Sequence, residues 1–258
     1  MSESSAHRIV ARFEIGYTQM LDETGQAVPD LPAFARDADA LRSMYASLVR
    51  SRAFDQRAVV LQRTGQLGTY AASLGQEAIG TAMGMALQPQ DVLIPAYREY
   101  AALFLRGVEM SSVLRYWGGD ERGMDYAAEP ARHDFPLCVP IGTQLPHAVG
   151  VAYAFHLRRE PRVVLASCGD GATSKGDFHE AVSACGIWKL PLVIVISNNQ
   201  WAISLPRSRQ CAAQTLAQKA MAGGIRGEQV DGNDVIATRA VIEAALDRAR
   251  AGEGPTLI

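Results

Sequence analysis

Residues 168–199 read CGDGATSKGDFHEAVSACGIWKLPLVIVISNN, and this stretch decides the fold of the chain. It begins with Asp170 between two glycines and ends with the pair Asn198–Asn199. Between these polar ends the pattern predicts one helix, 176–188, and one strand, 191–197. Carboxylate and carboxamide oxygens are ligands for hard cations, so the question is whether the fold brings both ends to one ion.

A second apolar run, 162–167, ends just before Asp170. Both runs are short and continuous, as in strands that are covered on both faces, and a right-handed helical crossover makes them parallel. If they are neighbours, about 4.8 Å apart, Asp170 and Asn198–Asn199 lie side by side at the carboxyl edge, where open α/β sheets bind ligands. This arrangement favours Mg²⁺ with phosphate oxygens as further ligands. Gly169 and Gly171 are expected to adopt positive φ and to let the backbone approach a phosphate closely.

The rest of the chain extends the same alternation of strands and helices. It predicts an α/β fold with a doubly wound, mostly parallel sheet and helices on both faces. An N-terminal extended arm, 1–34, is expected to precede one domain, 35–258, which begins with a helix. Further helices are predicted at 35–64, 73–87, 98–107, 144–157 and 238–251, a strand at 91–96, a long irregular loop at 117–136 and a turn at 231–234.

Composition and charge exclude several classes of protein. The chain has 258 residues, is 48% hydrophobic and has a net charge of −2, which gives no case for a nucleic-acid or anionic-membrane partner. Its longest apolar run, 190–196, is too short to span a bilayer, and its first residues contain no apolar signal core. The four cysteines include no CxxC pair and are too few for a disulfide framework. We therefore expect a cytoplasmic enzyme.

Other readings of the glycine-rich stretch fit the sequence less well. Taken singly, Gly-Asp-Gly and Asn-Asn are most often turns, and their joint placement at two strand ends is what favours a metal site. A dinucleotide fingerprint would require a third glycine where Ser174 lies, and the Gly-Lys-Ser/Thr order of a P-loop is absent. A calcium loop starting at Asp231 would require a glutamate where Ile242 lies.

The motif spacing identifies a family. Between Gly169-Asp170-Gly171 and Asn198-Asn199 lie 26 residues (172–197), and this spacing resembles the thiamine diphosphate motif. Over about 35–258 the chain resembles the alpha subunit of the heterodimeric first component of 2-oxo acid dehydrogenase complexes, with the pyruvate dehydrogenase type closest. The resemblance implies the thiamine diphosphate-binding fold. The stretches that support it are GTYAASLGQEA, PAYREY, PIGTQLPHAVGVAYA, GDGATSKGDFHEA, NNQWAIS, QVDGNDV and GEGPTLI.

The same resemblance implies the site residues, matched position by position. It implies Mg²⁺ ligands at Asp170, at Asn199 and at the backbone carbonyl of Trp201. Contacts to the diphosphate are implied for a further set of residues, namely Tyr97, Arg98, Gly171 and Ala172. Read locally, without the resemblance, Tyr97 is more typical of a core tyrosine, and Arg98 of a surface ion pair with Glu99.

Four more positions match cofactor or ion contacts in this family. Val139 and Ile141 match residues that contact thiamine diphosphate, with Ile141 supporting its bent conformation. Locally, both are also consistent with core positions. Thr143 and Gln144 match positions that hold K⁺ in some relatives.

The resemblance also implies the reaction and the partners. The expected activity is that of an oxidoreductase: oxidative decarboxylation of a 2-oxo acid, with acyl transfer to the lipoyl disulfide of an acyltransferase core. The active site of this family lies between an alpha and a beta subunit, in an assembly of two of each. The glutamate that activates the cofactor's aminopyrimidine belongs to the beta subunit, so no catalytic acid or base is assigned to this chain.

Several alternatives stay open. The substrate is pyruvate or a branched-chain 2-oxo acid, and a non-catalytic Mg²⁺–phosphate-binding chain is a hypothesis of another class. A single-chain transketolase relative is disfavoured because 258 residues leave no room for a second cofactor domain, and an acetoin-cleaving enzyme because its histidine-rich stretch is replaced by YREY. Relatives continue beyond Ile258 into a loop with a histidine, which predicts that the chain is incomplete. Small residues in the helix at 73–87 fit either a partner helix or packing within the chain.

Overall fold

The computed structural model describes residues 8–258, so the first seven residues of the predicted arm lie outside it. Its largest sheet has six strands, all pairing in parallel. The strands are β1 (Gly16–Thr18), β2 (Val92–Ile94), β3 (Val164–Gly169), β4 (Leu192–Ser197), β5 (Trp201–Ala202), β6 (Leu205–Pro206), β7 (Arg226–Val230) and β8 (Thr256–Leu257). The order in the large sheet is β1-β7-β8-β4-β3-β2, and β5 and β6 form an antiparallel hairpin.

Nine α-helices occur among these residues. They are α1 (Ala38–Arg63), α2 (Glu77–Ala86), α3 (Tyr100–Leu105), α4 (Met110–Trp117), α5 (Gln144–Arg158), α6 (Gly176–Ile187), α7 (Arg207–Gln210), α8 (Lys219–Ala222) and α9 (Val235–Arg250). In this part of the chain no helix is both long enough and apolar enough to cross a membrane.

Alternate residues of the central strands enter two different cores, because successive strand side chains point to opposite faces. Leu165 and Val193 pack with α1, α2, α3, α4 and α9. Val164 and Leu192 pack with α5, α6 and α8 on the other face. The expected α/β fold, with a parallel sheet covered by helices on both faces, is therefore confirmed.

The central pair of strands has the register that the sequence predicts. β3 and β4 pair from Val164↔Leu192 to Gly169↔Ser197, and α6 connects them. Asp170 and Asn198 follow these last paired residues directly. The two polar ends of the stretch at 168–199 therefore lie side by side at the carboxyl edge of the sheet.

Several short elements were not predicted. Within the arm, β1 pairs with β7 and forms an edge of the sheet. The remaining missed elements are α4, α7, α8, the β5–β6 hairpin, β7 and β8. Each is eight residues or shorter, so it holds too few periods for the hydrophobic pattern to be detected. The turn at 231–234 is confirmed, and Asp234 caps α9 with its side chain.

A buried ion pair fixes the long loop at 117–136. The Asp134 carboxylate accepts from Arg106 Nε (2.7 Å) and from the backbone N–H of Leu93 (2.8 Å). Arg106 also donates to the carbonyl of Asp91 (2.8 Å). Because Leu93 belongs to β2, the loop is attached to the sheet just before the segment that leads to α5.

The small residues of α2 pack inside the chain. A Cβ at Gly84 would lie 2.8 Å from Leu105 Cβ and 2.9 Å from Ala102 Cα, and one at Gly80 would lie 3.1 Å from Ala101 Cβ. These contacts are all with α3. Packing within the chain therefore explains these glycines.

Substitution at two helical glycines tests this packing. We expect Gly84→Ala to lower the free energy of unfolding by about 1–3 kcal/mol, since the added methyl overpacks the contact with α3. The matched control is Gly150→Ala on α5, where an added Cβ meets nothing within 4 Å and should stabilise by about 0.5–1 kcal/mol. Urea unfolding measures both, and equal effects would contradict the packing argument.

Candidate functional site

A pocket opens at the carboxyl edge of the sheet, next to the ends of β3 and β4. Its lining comes from the segments that follow β2, β3 and β4 and from the segment that enters α5. Nine residues predicted for cofactor or ion binding line it together: Tyr97, Arg98, Ile141, Gln144, Asp170, Gly171, Ala172, Asn199 and Trp201. Val139 and Thr143 are outside the lining, and Val139 is 42% exposed. Since Ile141 is also 40% exposed, the core alternative is wrong for both.

Asp170 has a buried oxygen with no partner. The residue begins a 3₁₀ turn directly after β3, and it is 3% exposed. Its Oδ2 accepts no hydrogen bond from any described residue. Burial raises the pKa of Asp170, while the backbone N–H groups of Asp170 and Gly171 and the charge of Arg207 act in the opposite direction. An unpaired buried carboxylate oxygen is unfavourable unless a cation binds it, so Asp170 fits a metal ligand.

The hairpin after β4 lies against the Asp170 turn. Asn199 Oδ1 accepts from the backbone N–H of Trp201 (3.0 Å), which fixes the start of β5. A Cβ at Gly171 would lie 2.7 Å from Ala202 Cβ, so glycine is required where the hairpin meets the turn. Asn199 and Trp201 are therefore held beside Asp170, although they follow a different strand.

The expected backbone conformation of the two glycines is wrong. Gly169 has φ −80°, and neither Gly169 nor Gly171 belongs to the positive-φ glycines. The turn after β3 is a right-handed 3₁₀ turn, which does not need a left-handed residue. The contact with the hairpin explains Gly171, and Gly169 faces open space, where a Cβ would meet nothing within 4 Å.

Tyr97 and Arg98 reach the pocket from the end of β2. The guanidinium of Arg98 lies 5.0 Å from the ring centroid of Tyr97, and its Nη1 donates to the carbonyl of Ala72. Glu99 is 4% exposed and accepts from the backbone N–H of Arg98 (3.0 Å). The alternative of a surface ion pair between Arg98 and Glu99 is therefore wrong.

A second buried acceptor without a partner lies at the entrance of α5. Gln144 Nε2 donates to the carbonyl of Ser167 (2.7 Å), and its Oε1 is buried with no hydrogen bond to the described residues. Thr143 Oγ1 donates to the carbonyl of Pro140 (3.0 Å) and lies 3.2 Å from Cys138 Sγ. These oxygens are of the kind that a monovalent cation binds.

The sequence did not indicate several residues of the site. Gln76, Glu99, Cys138 and Ile203 are among the further lining residues, and the charge of Arg207 acts on Asp170. The backbone N–H of Arg207 donates to the carbonyl of Gln200 (2.8 Å), so the hairpin brings this arginine back to the site. The hairpin strands have two residues each, too few for a sequence pattern to reveal this return.

Fold and pocket together define an α/β protein with a pocket around a buried carboxylate at the carboxyl edge of a parallel sheet. The family model described as "Dehydrogenase E1 component" matches residues 45–258. The chain therefore belongs to the dehydrogenase E1 component family.

Named relatives support this assignment. The chain is 44% identical over 221 residues to the 3-methyl-2-oxobutanoate dehydrogenase subunit alpha of Mycobacterium tuberculosis, covering 85% of this chain and 59% of the relative. It is 40% identical over 238 residues to the pyruvate dehydrogenase E1 component subunit alpha of Acholeplasma laidlawii, covering 92% and 68%. The protein of the same name from Staphylococcus aureus is 41% identical over 249 residues, covering 96% and 66%. The chain thus spans about 59% of the length of the Mycobacterium relative.

Two buried carboxylates should respond differently to removal. We expect Asp170→Ala to leave the free energy of unfolding of the metal-free, full-length protein unchanged or to raise it by about 1 kcal/mol, since an unpaired buried group is lost. Asp134→Ala, the matched control, should cost about 3–5 kcal/mol because it leaves Arg106 buried without its partner. Denaturant unfolding in the presence of a chelator measures both. An equal loss in the two variants would make Asp170 a structural residue.

Proposed function

We propose that this chain is the alpha subunit of the first component of a 2-oxo acid dehydrogenase complex and that it binds thiamine diphosphate with Mg²⁺. The observation that supports this most directly is the unpaired Oδ2 of Asp170 beside Asn199 and Trp201. Family membership implies dependence on thiamine diphosphate. The names of the relatives support the alpha-subunit assignment.

Mg²⁺ would be held by the carboxylate of Asp170, the amide oxygen of Asn199 and the backbone carbonyl of Trp201. Mg²⁺ prefers such oxygen ligands and commonly retains phosphate oxygens. An amide oxygen has two lone pairs, so Asn199 Oδ1 can bind a metal while it accepts from Trp201 N–H. All three ligands are attached to adjacent strand ends, which fixes their spacing.

The diphosphate would lie against Tyr97, Arg98, Gly171 and Ala172. Arg98 is a permanent cation whose planar guanidinium matches two phosphate oxygens. When bound, thiamine diphosphate supplies the carbon nucleophile and the electron sink for decarboxylation of a 2-oxo acid. The residues of this chain bind and orient the cofactor, and Ile141 shields it on the side of α5. The contact expected from Val139 has no support in the lining of the pocket.

We infer that a beta subunit covers the rim of the pocket. Large apolar side chains are exposed there, with Ile203 100% exposed, Trp201 54% and Ile141 40%. Contiguous exposed apolar groups of this kind mark interaction surfaces. A covering subunit would exclude water from the site. The lipoyl-bearing core then receives the acyl group.

For the substrate we propose pyruvate. A branched-chain 2-oxo acid is the second candidate, which the name of the Mycobacterium relative favours. Thr143 and Gln144 are proposed to bind K⁺ through the oxygens at the entrance of α5.

An acceptor-coupled assay over a panel of 2-oxo acids tests the substrate. The full-length protein with a beta chain should decarboxylate pyruvate faster than branched-chain 2-oxo acids. If the parent binds Mg²⁺–thiamine diphosphate yet turns over none of these acids, the result would favour the alternative of a non-catalytic Mg²⁺–phosphate-binding chain.

Removing the anionic metal ligand tests the cofactor assignment. We expect Asp170→Ala to abolish tight binding of Mg²⁺–thiamine diphosphate, and Asn199→Ala to weaken it less, because the amide ligand is neutral. Isothermal titration calorimetry on the full-length protein measures both affinities. Parent-like affinity in Asp170→Ala would show that this carboxylate does not bind the metal.

A lysine at position 98 tests the contact with the diphosphate. Lysine keeps the charge but loses the planar fork that engages two phosphate oxygens. We expect Arg98→Lys to weaken the affinity for Mg²⁺–thiamine diphosphate about tenfold, with little change in the melting temperature of the cofactor-free protein. An unaltered affinity would remove Arg98 from the site.

A further inference from the structure

Two buried polar side chains, those of Ser167 and Glu99, are hydrogen-bonded to the backbone around Tyr97 and Arg98. Ser167, on β3, is fully buried, and its Oγ accepts from the backbone N–H of Ala96 (2.9 Å). The Ser167 side chain also lowers the pKa of the Glu99 carboxyl group, against the effect of burial. Glu99 Oε2 accepts in turn from the backbone N–H of Arg98 (3.0 Å). Two side chains thus hold the backbone N–H groups on either side of Tyr97.

These bonds replace contacts that the sheet no longer provides. β2 ends at Ile94, and the segment Ala96–Arg98 lies beyond its last ladder pair with Ala166. Buried backbone N–H groups need partners. Ser167 and Glu99 supply two of them and thereby define the path of the segment that presents Tyr97 and Arg98 to the pocket.

Glu99 directs its side chain toward this segment instead of toward its own helix. It immediately precedes α3, yet its side chain makes no capping bond to α3. Burial raises the pKa of Glu99, and the bond from Arg98 N–H and the Ser167 side chain only partly oppose this effect. Burying a carboxyl group is unfavourable unless the group is hydrogen-bonded. Glu99 accepts its hydrogen bond from the segment Ala96–Arg98.

Ser167 also connects this segment to the opposite wall of the pocket. Its carbonyl accepts from Gln144 Nε2 (2.7 Å), and it lies three residues before Asp170, which follows the end of β3. One residue of β3 is thus hydrogen-bonded to the Arg98 segment and to Gln144 while its strand leads into the metal ligand.

We propose that Glu99 and Ser167 are positioning residues that hold Tyr97 and Arg98 in place for the diphosphate. This inference rests on the proposed function. Both residues act through Arg98 and its segment. Glu99 also lines the pocket, but neither residue is assigned a contact with the cofactor. Sequence alone suggested a surface role for Glu99, whereas its burial and its bond to Arg98 N–H give it this internal one.

Calorimetry with Mg²⁺–thiamine diphosphate on the full-length protein tests the proposal. Glu99→Ala and Ser167→Ala should each weaken affinity by about tenfold, since each removes hydrogen bonds that order the segment. Glu99→Gln should stay within about threefold of the parent, because its amide oxygen still accepts from Arg98 N–H. If Glu99→Ala does not fold, Ser167→Ala and Glu99→Gln still decide the outcome.

The decisive measurement is the coupling to Arg98. If Glu99 acts through Arg98, adding Glu99→Ala to Arg98→Ala should weaken binding by less than about twofold more, because contacting residues are not additive. The matched control is Asp91→Asn. Asp91 is a fully buried carboxylate before β2, bonded to Val163 N–H (3.1 Å) and Arg250 Nη2 (2.8 Å). This control should lower the melting temperature and leave affinity unchanged.

Each result has a defined meaning. Parent-like affinity in Glu99→Ala and Ser167→Ala, or fully additive losses with Arg98→Ala, would overturn the positioning role while the proposed function survives. An equal loss of affinity in Asp91→Asn would overturn it as well, since general destabilisation would explain the effect. A parent that binds no Mg²⁺–thiamine diphosphate would instead overturn the proposed function and the inference with it.

Discussion

The rest of the site depends on the parallel, in-register pairing of β3 with β4. Their last pair, Gly169↔Ser197, places the residues that follow each strand at one edge. A slip of one residue would turn every side chain of a strand to the opposite face. Because both faces are packed by separate cores, this register is strongly specified. The distance between Asp170 and Asn199 is thus set by the packing of the whole sheet.

Holding the site residues in fixed positions at this edge lowers the free energy of unfolding of the protein. Asp170 and Gln144 each keep a buried oxygen without a partner among residues 8–258. Such groups lower stability, and unfavourable local features are concentrated where function requires them. The Asp134–Arg106 pair shows the contrast, because its carboxylate is equally buried and fully bonded. Unpaired oxygens in a pocket therefore indicate a ligand, whereas paired ones indicate structure.

The sequence predicted the parts of the fold that are long and locally periodic. β3, β4, α5, α6 and α9 have continuous apolar runs or helical spacing, and the structure confirms them. β1, β7 and β8 have five residues or fewer and depend on partners distant in the chain, such as the pairing of β1 with β7. Local patterns do not contain that information.

The same limit explains which parts of the site were predictable. Asp170 directly follows β3 and Asn199 is the second residue after β4, so topology alone brings them together. The burial of Glu99 is set by tertiary packing that no local pattern shows, and the influence of Arg207 depends on a short hairpin. The positive φ expected at Gly171 was wrong. Glycine is needed there because a Cβ would clash with Ala202, and no local pattern encodes this contact.

The pocket has two chemically different parts, and this division bears on what the chain contributes. Its base carries charge and hydrogen-bonding groups fixed to strand ends, with Asp170 and Arg98 as the principal charges. Its rim carries exposed apolar side chains, with Ile203 fully exposed. Fixed charges suit the diphosphate and its metal ion, because preorganised groups need no reorganisation on binding. An apolar rim binds little by itself and is stabilised when another surface covers it. Under the proposed function, the chain therefore anchors one end of the cofactor and leaves the reactive end to the subunit that closes the rim.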